Sequence, residues 1–159
     1  MTAPSLNEDL LDLLEAFVAE GVEFLLVGAF ALAANGAPRF TGDLDVWVRP
    51  DPVNAERVLR GLHRFGAPVD VHGLGVADLG RAGLVYQMGL PPRRIDILTQ
   101  IDGVTFDEGW QGRIEASVGG VSMPFLGLRE LVRNKRTAGR PKDLLDIELL
   151  REAGARIED

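Results

Sequence analysis

The segment that restricts the fold most is Asp43–Val48, in which acidic and apolar residues alternate. Successive side chains of a β-strand point to opposite faces of a sheet, so Asp43 and Asp45 share one face and Leu44 occupies the other. At the rise of a strand, the Cβ atoms of the two acids lie roughly 6.6 Å apart. The pattern predicts a strand with one face on an apolar core and two neighbouring carboxylates on the opposite face.

The rest of the chain alternates short apolar runs with helical periodicities, separated by glycine and proline. Gly119-Gly120, between two β-type runs, predicts a hairpin. We predict strands at residues 22–27, 43–48, 68–71, 85–89, 95–98, 114–118 and 121–123, and helices at about 6–20, 30–35, 52–65, 126–137 and 141–151. The predicted class is α+β, a mixed sheet of four to six strands with packed helices, two of them C-terminal.

The length of 159 residues has room for one domain and not for two independent cores. We therefore predict a single domain over residues 1–159, with a core at about 22–100 and a C-terminal hairpin and helices at about 113–152. The apolar share of 46% and the charged share of 26% exclude a disordered or fibrous chain.

The supply of reactive side chains excludes several classes of enzyme. The chain has no cysteine, which excludes disulfide frameworks, thiolate nucleophiles and cysteine-ligated metals. Its two histidines, His63 and His72, are not at metal-ligand spacing, which argues against a zinc hydrolase. The sequence contains neither a Walker P-loop nor a Gly-x-Ser-x-Gly motif.

The hydropathy of the chain favours a soluble protein. The longest nearly apolar stretch, Phe24–Ala34, is too short to cross a bilayer. The first residues lack the basic segment of a signal peptide, and the absence of cysteine fits a reducing compartment. We expect a cytoplasmic protein with no membrane partner.

The charge is unevenly distributed. The formal net charge is −7, but residues 129–142 hold six cations and only Glu130 as an acid, a local charge of +5. An acidic protein binds nucleic acid poorly overall, because phosphate contacts supply most of that affinity. The basic segment is either a binding site for a phosphate or an RNA end, or a solvated helix face, and the sequence leaves both open.

A third acid, Asp96, lies between apolar neighbours in Arg94-Ile-Asp-Ile-Leu98, another predicted strand. If the two acidic strands are adjacent, Asp96, Asp43 and Asp45 form one site with three carboxylates. Such acids repel one another unless they are protonated or bridged by cations, and Mg²⁺ prefers oxygen ligands. The alternative is that these acids bind no cation and lie on a solvent-exposed face of the sheet or in turns.

A glycine follows the buried run Phe24–Val27 and precedes a short helix. Gly28 and Ala29 offer free backbone N–H groups at a positive helix end, and a glycine lets a phosphate approach the backbone. A phosphate cradle about fifteen residues before an acid pair is a coherent site for a nucleoside triphosphate.

Three segments together resemble the signature of the DNA polymerase beta-like nucleotidyltransferase superfamily: Leu26-Val-Gly-Ala29, Asp43-Leu-Asp-Val46 and Ile95-Asp-Ile97. That signature is an apolar run ending in Gly-Gly or Gly-Ser, an acid pair and a distant third acid. Two further segments, 28–45 and Lys135-x-x-x-Gly-Arg-Pro-Lys-Asp-x-x-Asp146, are similar to its AbiEii-type branch, which includes many toxins of toxin–antitoxin pairs. The resemblance spans roughly residues 22–150.

The resemblance implies a mixed-sheet catalytic core and transfer of a nucleotidyl group from an NTP to a hydroxyl on RNA or protein, with Mg²⁺ or Mn²⁺ as the cofactor. By position, Asp43, Asp45 and Asp96 are the metal ligands and catalytic acids, and Asp96 is also the base for the acceptor hydroxyl. The implied nucleotide-binding residues are Gly28, Ala29, Arg39, Thr41, Lys135, Arg140, Lys142, Asp143 and Asp146.

Several of these residues have structural alternatives. Arg39 contacts a phosphate or pairs with one of the acids of 43–48, and Thr41 is a candidate turn residue. Asp143 lies at a helix start, where it complements the helix dipole, and Asp146 is placed to pair with Lys142. Trp47 and Trp110 stack on a base or pack in the core.

Ala29 stands where the superfamily has glycine or serine, so a serine hydroxyl that donates to a phosphate is missing. This departure supports the alternative function, a catalytically weak, nucleotide-binding antitoxin or regulatory partner with the same fold. In either case a short chain has little surface to select an acceptor, so a homo-oligomer or a cognate toxin or antitoxin is an expected partner.

Overall fold

The computed structural model describes residues 8–38, 43–90 and 94–158. These residues form six strands, β1 Phe24–Val27, β2 Asp43–Val48, β3 Val85–Met88, β4 Arg94–Leu98, β5 Ile114–Val118 and β6 Val121–Phe125. They also form seven helices, α1 Glu8–Ala19, α2 Gly28–Ala34, α3 Pro52–Phe65, α4 Val76–Leu79, α5 Phe106–Gln111, α6 Leu128–Ala138 and α7 Pro141–Glu152. The predicted α+β class, with two C-terminal helices, is confirmed.

The sheet is mixed, with the strand order β3-β4-β2-β1-β6-β5. The pairs β2–β4 and β1–β6 are parallel, whereas β3–β4 and β5–β6 are antiparallel. The β5–β6 pair is the hairpin predicted from the two glycines between these strands. The register pair next to its turn is Val118 with Val121.

The predicted strand at residues 68–71 is wrong. The structure has turns there, in which the N–H of Val69 bonds to the carbonyl of Ala67 and the N–H of His72 to that of Pro68. These local bonds use backbone groups that a strand would give to a neighbouring strand. The helices α4 and α5 were not predicted, although Thr105 and Glu108 form a capping box at the start of α5.

The described residues divide into two compact units. Unit 2 consists of residues 8–24, 43–90 and 94–100 and contains β2, β3, β4, α1, α3 and α4. Its helices α1 and α3 pack at Gly61, where an added Cβ would lie only 2.6 Å from the ring of Phe17. Glycine is therefore needed for this close approach.

A buried asparagine anchors the acidic strand of unit 2. Asn54 accepts from the N–H of Glu23 at 2.8 Å and donates to the carbonyls of Glu23, at 3.0 Å, and Arg49, at 2.9 Å. Asp51 caps the same helix by accepting from the N–H of Asn54 at 2.7 Å. These bonds hold the carboxyl end of β2 against the start of α3.

Unit 1 consists of residues 25–38 and 101–158 and contains α2, α5, β5, β6, α6 and α7, with residues 25–27 of β1. Asn35, which ends α2, donates to the carbonyl of Leu126 at 3.0 Å and so joins α2 to the end of β6. The helices α6 and α7 form a hairpin that turns at Gly139. Among the described residues, no helix combines the length and the hydropathy that a membrane crossing requires.

Candidate active site

The parallel pairing of β2 with β4 in unit 2 brings the predicted acids together. Asp43 lies opposite Arg94, and Asp45 lies opposite Asp96. Since residues two apart on a strand share a face, these four side chains occupy one face of the sheet. Leu44 lies on the buried face with no exposed area, as predicted. The strand adjacency on which the three-acid site depends is confirmed, while the metal and nucleotide roles stay predictions.

Arg94 is part of this cluster, and sequence reasoning gave it no role. Its Nε lies 3.2 Å from Oδ1 of Asp96 and its Nη2 lies 3.1 Å from Oδ2, a two-point contact. Nη2 also lies 3.7 Å from Oδ2 of Asp43. The sequence held a signal for the Asp96 contact, because Arg94 directly precedes the predicted strand at 95–98 and lies two residues before Asp96.

The pKa of Asp45 shows that the positive charge of Arg94 does not balance the negative charge of the three acids. The pKa of Asp45 is raised to about 6, mainly by burial and also by the charges of Asp96 and Asp43, against a smaller lowering effect of Arg94. The carboxyl of Asp45 also hydrogen-bonds to Asp96. The cluster therefore retains a proton well above the usual range for aspartate, as a site with excess negative charge does.

A fifth side chain extends this face of the sheet. Gln87 of β3 lies opposite Asp96 in the antiparallel β3–β4 register, and it is exposed. Its neighbours Tyr86 and Met88 are buried on the other face. Gln87 thus offers an amide beside Asp96, and only the strand register reveals this position.

The donor atoms fit a hard divalent cation, because carboxylate oxygens are the ligands that Mg²⁺ and Mn²⁺ prefer. The raised pKa of Asp45 shows an excess of negative charge that a cation would neutralise. However, the described residues contain no group of three acidic or histidine side chains already spaced as ligands of one ion. In this arrangement the guanidinium of Arg94 contacts both Asp43 and Asp96.

Lys135 of unit 1 lies in a buried ionic group between α6 and α7. Its Nζ is 2.9 Å from Oδ2 of Asp146 and 3.4 Å from Oδ1 of Asp143. The side chain of Lys135 is 10% exposed and those of the two acids are 1% exposed. The ion-pair partner found for Asp146 is thus Lys135, on the preceding helix.

Asp143 also caps α7. Its Oδ2 accepts from the backbone N–H of Arg140 at 3.2 Å and from Nε of Arg140 at 2.7 Å. Burial alone would raise the pKa of Asp143, but the Arg140 hydrogen bonds and the charge of Lys135 together lower it. This confirms the helix-start alternative for Asp143. Lys142, in contrast, is exposed.

The remaining predicted residues lie as follows. Gly28 is the first residue of α2 and has φ +65, a conformation that side chains other than glycine rarely adopt. Ala29 follows it and is buried. Arg39 and Thr41 lie outside the described residues. Trp47 is buried in the core of unit 2, so packing is its role and base stacking is wrong for it.

Asp45→Asn is expected to stabilise the metal-free protein. Because folding raises the pKa of Asp45, the stability that this group contributes is full near pH 4 and is lost as the pH rises through about 6. The variant removes this loss, so its free energy of unfolding should exceed that of the wild type by about 1–3 kcal/mol above pH 7. Thermal unfolding across this pH range, in a chelator, measures the difference.

The control is Asp12→Asn, on the exposed side of α1 in the same unit. It should change the melting temperature little at any pH. A destabilised Asp45→Asn protein at pH 8, or a difference that does not shrink as the pH falls toward 4, would contradict this description of the cluster.

No protein-family model matches the sequence, and no curated protein sequence matches it. Solved structures share its fold. The lincosamide antibiotic adenylyltransferase LnuA, solved with lincomycin bound, superposes with a TM-score of 0.54 and 12% identity, over 94% of this chain and 98% of that chain. A Thermotoga maritima protein proposed to be a nucleotidyltransferase superposes with a TM-score of 0.54 and 15% identity, over 92% and 93% of the two chains. The chain therefore has a nucleotidyltransferase fold.

Proposed function

We propose that this protein is a metal-dependent nucleotidyltransferase, which moves an NMP group from an NTP to a hydroxyl. The observation that carries the proposal is the cluster of Asp43, Asp45 and Asp96 on one face of two adjacent parallel strands. This cluster occurs in a fold shared with an adenylyltransferase. Mg²⁺ in such reactions is commonly held by one or two carboxylates together with the substrate phosphates.

Asp43, Asp45 and Asp96 are the residues that would hold Mg²⁺ or Mn²⁺. When bound, the metal neutralises the charge that develops on the triphosphate and on the leaving pyrophosphate. Arg94 must withdraw from Asp96 and Asp43 before these acids become available. Asp96 is then placed to accept the proton of the acceptor hydroxyl on a carboxylate oxygen.

The nucleotide-binding residues proposed from the sequence include Gly28 and Ala29, whose backbone N–H groups would contact the triphosphate, and Arg39 and Thr41, which precede Asp43 in the sequence. Lys142 and Arg140 are the further candidates for phosphate contacts, because both side chains are exposed in part. Lys135, Asp143 and Asp146 would act by holding α6 and α7 in position, since all three are buried.

The acceptor hydroxyl is proposed to belong to RNA or protein, in a cytoplasmic toxin–antitoxin component of the AbiEii type. LnuA acts on lincosamide antibiotics, so a small-molecule hydroxyl is a third acceptor class to include in assays. The alternative, a weak nucleotide-binding partner, has two observations in its favour: Ala29 in place of glycine or serine, and Arg94 paired with the proposed base.

Calorimetric titration with each NTP, in the presence and absence of Mg²⁺, tests the proposal. Wild type should bind at least one NTP in a Mg²⁺-dependent manner, and Asp43→Asn should weaken that binding by about tenfold or more. The control is Glu56→Gln, on the exposed face of α3. Equal NTP affinity in wild type and Asp43→Asn would rule out the acid cluster as the metal site.

Arg94→Gln is expected to bind Mn²⁺ more tightly than wild type, because the variant removes the cation that competes for Asp96 and Asp43. A charge-assisted pair is stronger than a neutral hydrogen bond, so the gain in Mn²⁺ affinity should be on the order of tenfold. Electron paramagnetic resonance of free Mn²⁺ measures it without any catalysis. The control is Arg81→Gln, which removes an exposed pair with Asp78. Unchanged or weaker Mn²⁺ binding in Arg94→Gln would mean that Arg94 is not a competitor.

A further inference from the structure

An open cavity of about 620 Å³ lies in unit 1, between α6 and the residues that follow α7. Four arginines line it, Arg129, Arg133, Arg136 and Arg156. Val132 and Ile157 contribute apolar surface to the same cavity. We call this the arginine cavity. None of its residues belongs to the acid cluster or to the predicted nucleotide-binding set.

Three of the arginines are aligned along α6. Arg129, Arg133 and Arg136 are spaced four and three residues apart, so they share one face of the helix. At the helical rise, the row spans roughly 10 Å. This is wider than one compact anion and suits anionic groups that are spaced along a chain.

Arg133 provides an unused hydrogen-bond donor. Its Nη2 lies 3.0 Å from Oε2 of Glu108, which fixes the guanidinium. Its Nε is buried and has no hydrogen-bond acceptor among the described residues. A buried donor without an acceptor costs stability, and a ligand oxygen that entered here would remove that cost.

Part of the charge of the arginine cavity is not compensated by ion pairs. Lys135 and Arg140 of the same basic segment are neutralised by Asp143 and Asp146, on the other helix of the hairpin. Within the described residues, neither Arg129 nor Arg156 has an ion-pair partner. Among the described residues that line the cavity, Glu158 is the single acid.

We propose that the arginine cavity binds the phosphodiester backbone of a single-stranded nucleic acid. Guanidinium groups bind phosphate oxygens in a two-point geometry, and a row of them on a helix face matches successive phosphates of a strand. The apolar surface accommodates the sugars or the faces of the bases. Because the protein as a whole is acidic, binding is confined to this patch. The site is a binding site and does not depend on nucleotidyl transfer.

Fluorescence anisotropy with a labelled uridine oligonucleotide tests the proposal directly. The triple variant R129Q/R136Q/R156Q should weaken binding by more than about tenfold. It should also lower the salt dependence of log K by about 2, since each phosphate contact on a single strand contributes about 0.7. Arg133 is retained because its pair with Glu108 supports the fold. The variant E158Q, which removes the acid from the cavity, should strengthen binding.

The matched control is R57Q/R60Q/R64Q, which changes the net charge by the same amount on α3 of unit 2. It should weaken binding by less than about threefold. Melting temperatures verify that both triple variants fold. Equal losses in the two triples, or no binding by wild type, would overturn the proposal.

Competition distinguishes the ligands. An unlabelled RNA strand should displace the probe, and a DNA strand of the same length should displace it comparably, since the shared chemistry is the phosphodiester chain. Tripolyphosphate should compete only weakly at equal charge. If tripolyphosphate competes as well as the strand, the site binds compact phosphates. If polyglutamate displaces the probe better than RNA does, the site recognises acidic peptides. Either result would overturn the proposal.

Discussion

Asp96→Asn is expected to retain nucleotide binding and to lose nucleotidyl transfer by about 10³-fold or more. The amide keeps the shape of the carboxylate but is neutral and a poor base, so it cannot accept the hydroxyl proton. A loss of this size corresponds to several kcal/mol of transition-state stabilisation. Binding should persist because Asp43 and Asp45 remain to hold the metal–triphosphate complex. Asp96 is 9% exposed at its side chain, so the change is made inside the cluster and not on the surface.

Single-turnover transfer to an identified acceptor, alongside calorimetric NTP binding, measures the two effects separately. Asp70→Asn, at a carboxylate that is 89% exposed, is the matched control and should behave as wild type. Transfer by Asp96→Asn within about tenfold of the wild-type rate would remove Asp96 from the chemistry. Loss of NTP binding in step with transfer would instead assign Asp96 to binding alone.

Lys135→Met is expected to destabilise the protein by about 3–5 kcal/mol. The substitution leaves Asp143 and Asp146 buried without the cation that lies 3.4 Å and 2.9 Å from them. For a chain of this size, the loss corresponds to a melting temperature lower by about 10 °C. Thermal and urea unfolding measure it.

The exposed Lys142→Met, from the same basic segment, should change stability by less than about 0.5 kcal/mol. The variant K135M/D143N/D146N should recover part of the stability, because no buried charge is then left unpaired. If Lys135→Met is as stable as Lys142→Met, the buried ionic group does not hold the helices together. If it is stable but has lost NTP binding, Lys135 contacts the nucleotide.

The acidic face of the sheet was predictable because its signal is local. Alternation in Asp43–Val48 places Asp43 and Asp45 on one face whatever the surroundings are. The pairing of β2 with β4, which adds Asp96, is a contact between distant segments, and sequence reasoning stated it only as a condition. The contact of Arg94 with Asp43 was missed for the same reason, since it exists only once the strands are paired.

The net charge of the basic segment does not predict which of its cations are neutralised by ion pairs. Residues 129–142 have a local charge of +5, and the sequence does not say which cations are neutralised. The packing of α6 on α7 buries Lys135 against Asp143 and Asp146, whereas it leaves Arg129 on another side of α6. Helix periodicity predicts which residues share a face of α6, but the partner of each face depends on tertiary contacts.

The central claim is that the cluster of Asp43, Asp45 and Asp96 catalyses nucleotidyl transfer. It is tested most directly by incubating the protein with each α-labelled NTP, Mg²⁺ or Mn²⁺, and total RNA, cell lysate or small hydroxyl compounds. We predict that wild type transfers label to one of these acceptors only with the metal present, and that the double variant D43N/D45N transfers none. Tight metal-dependent NTP binding by wild type without transfer to any acceptor would contradict the claim. That result would instead support the alternative function, a nucleotide-binding antitoxin or regulatory partner.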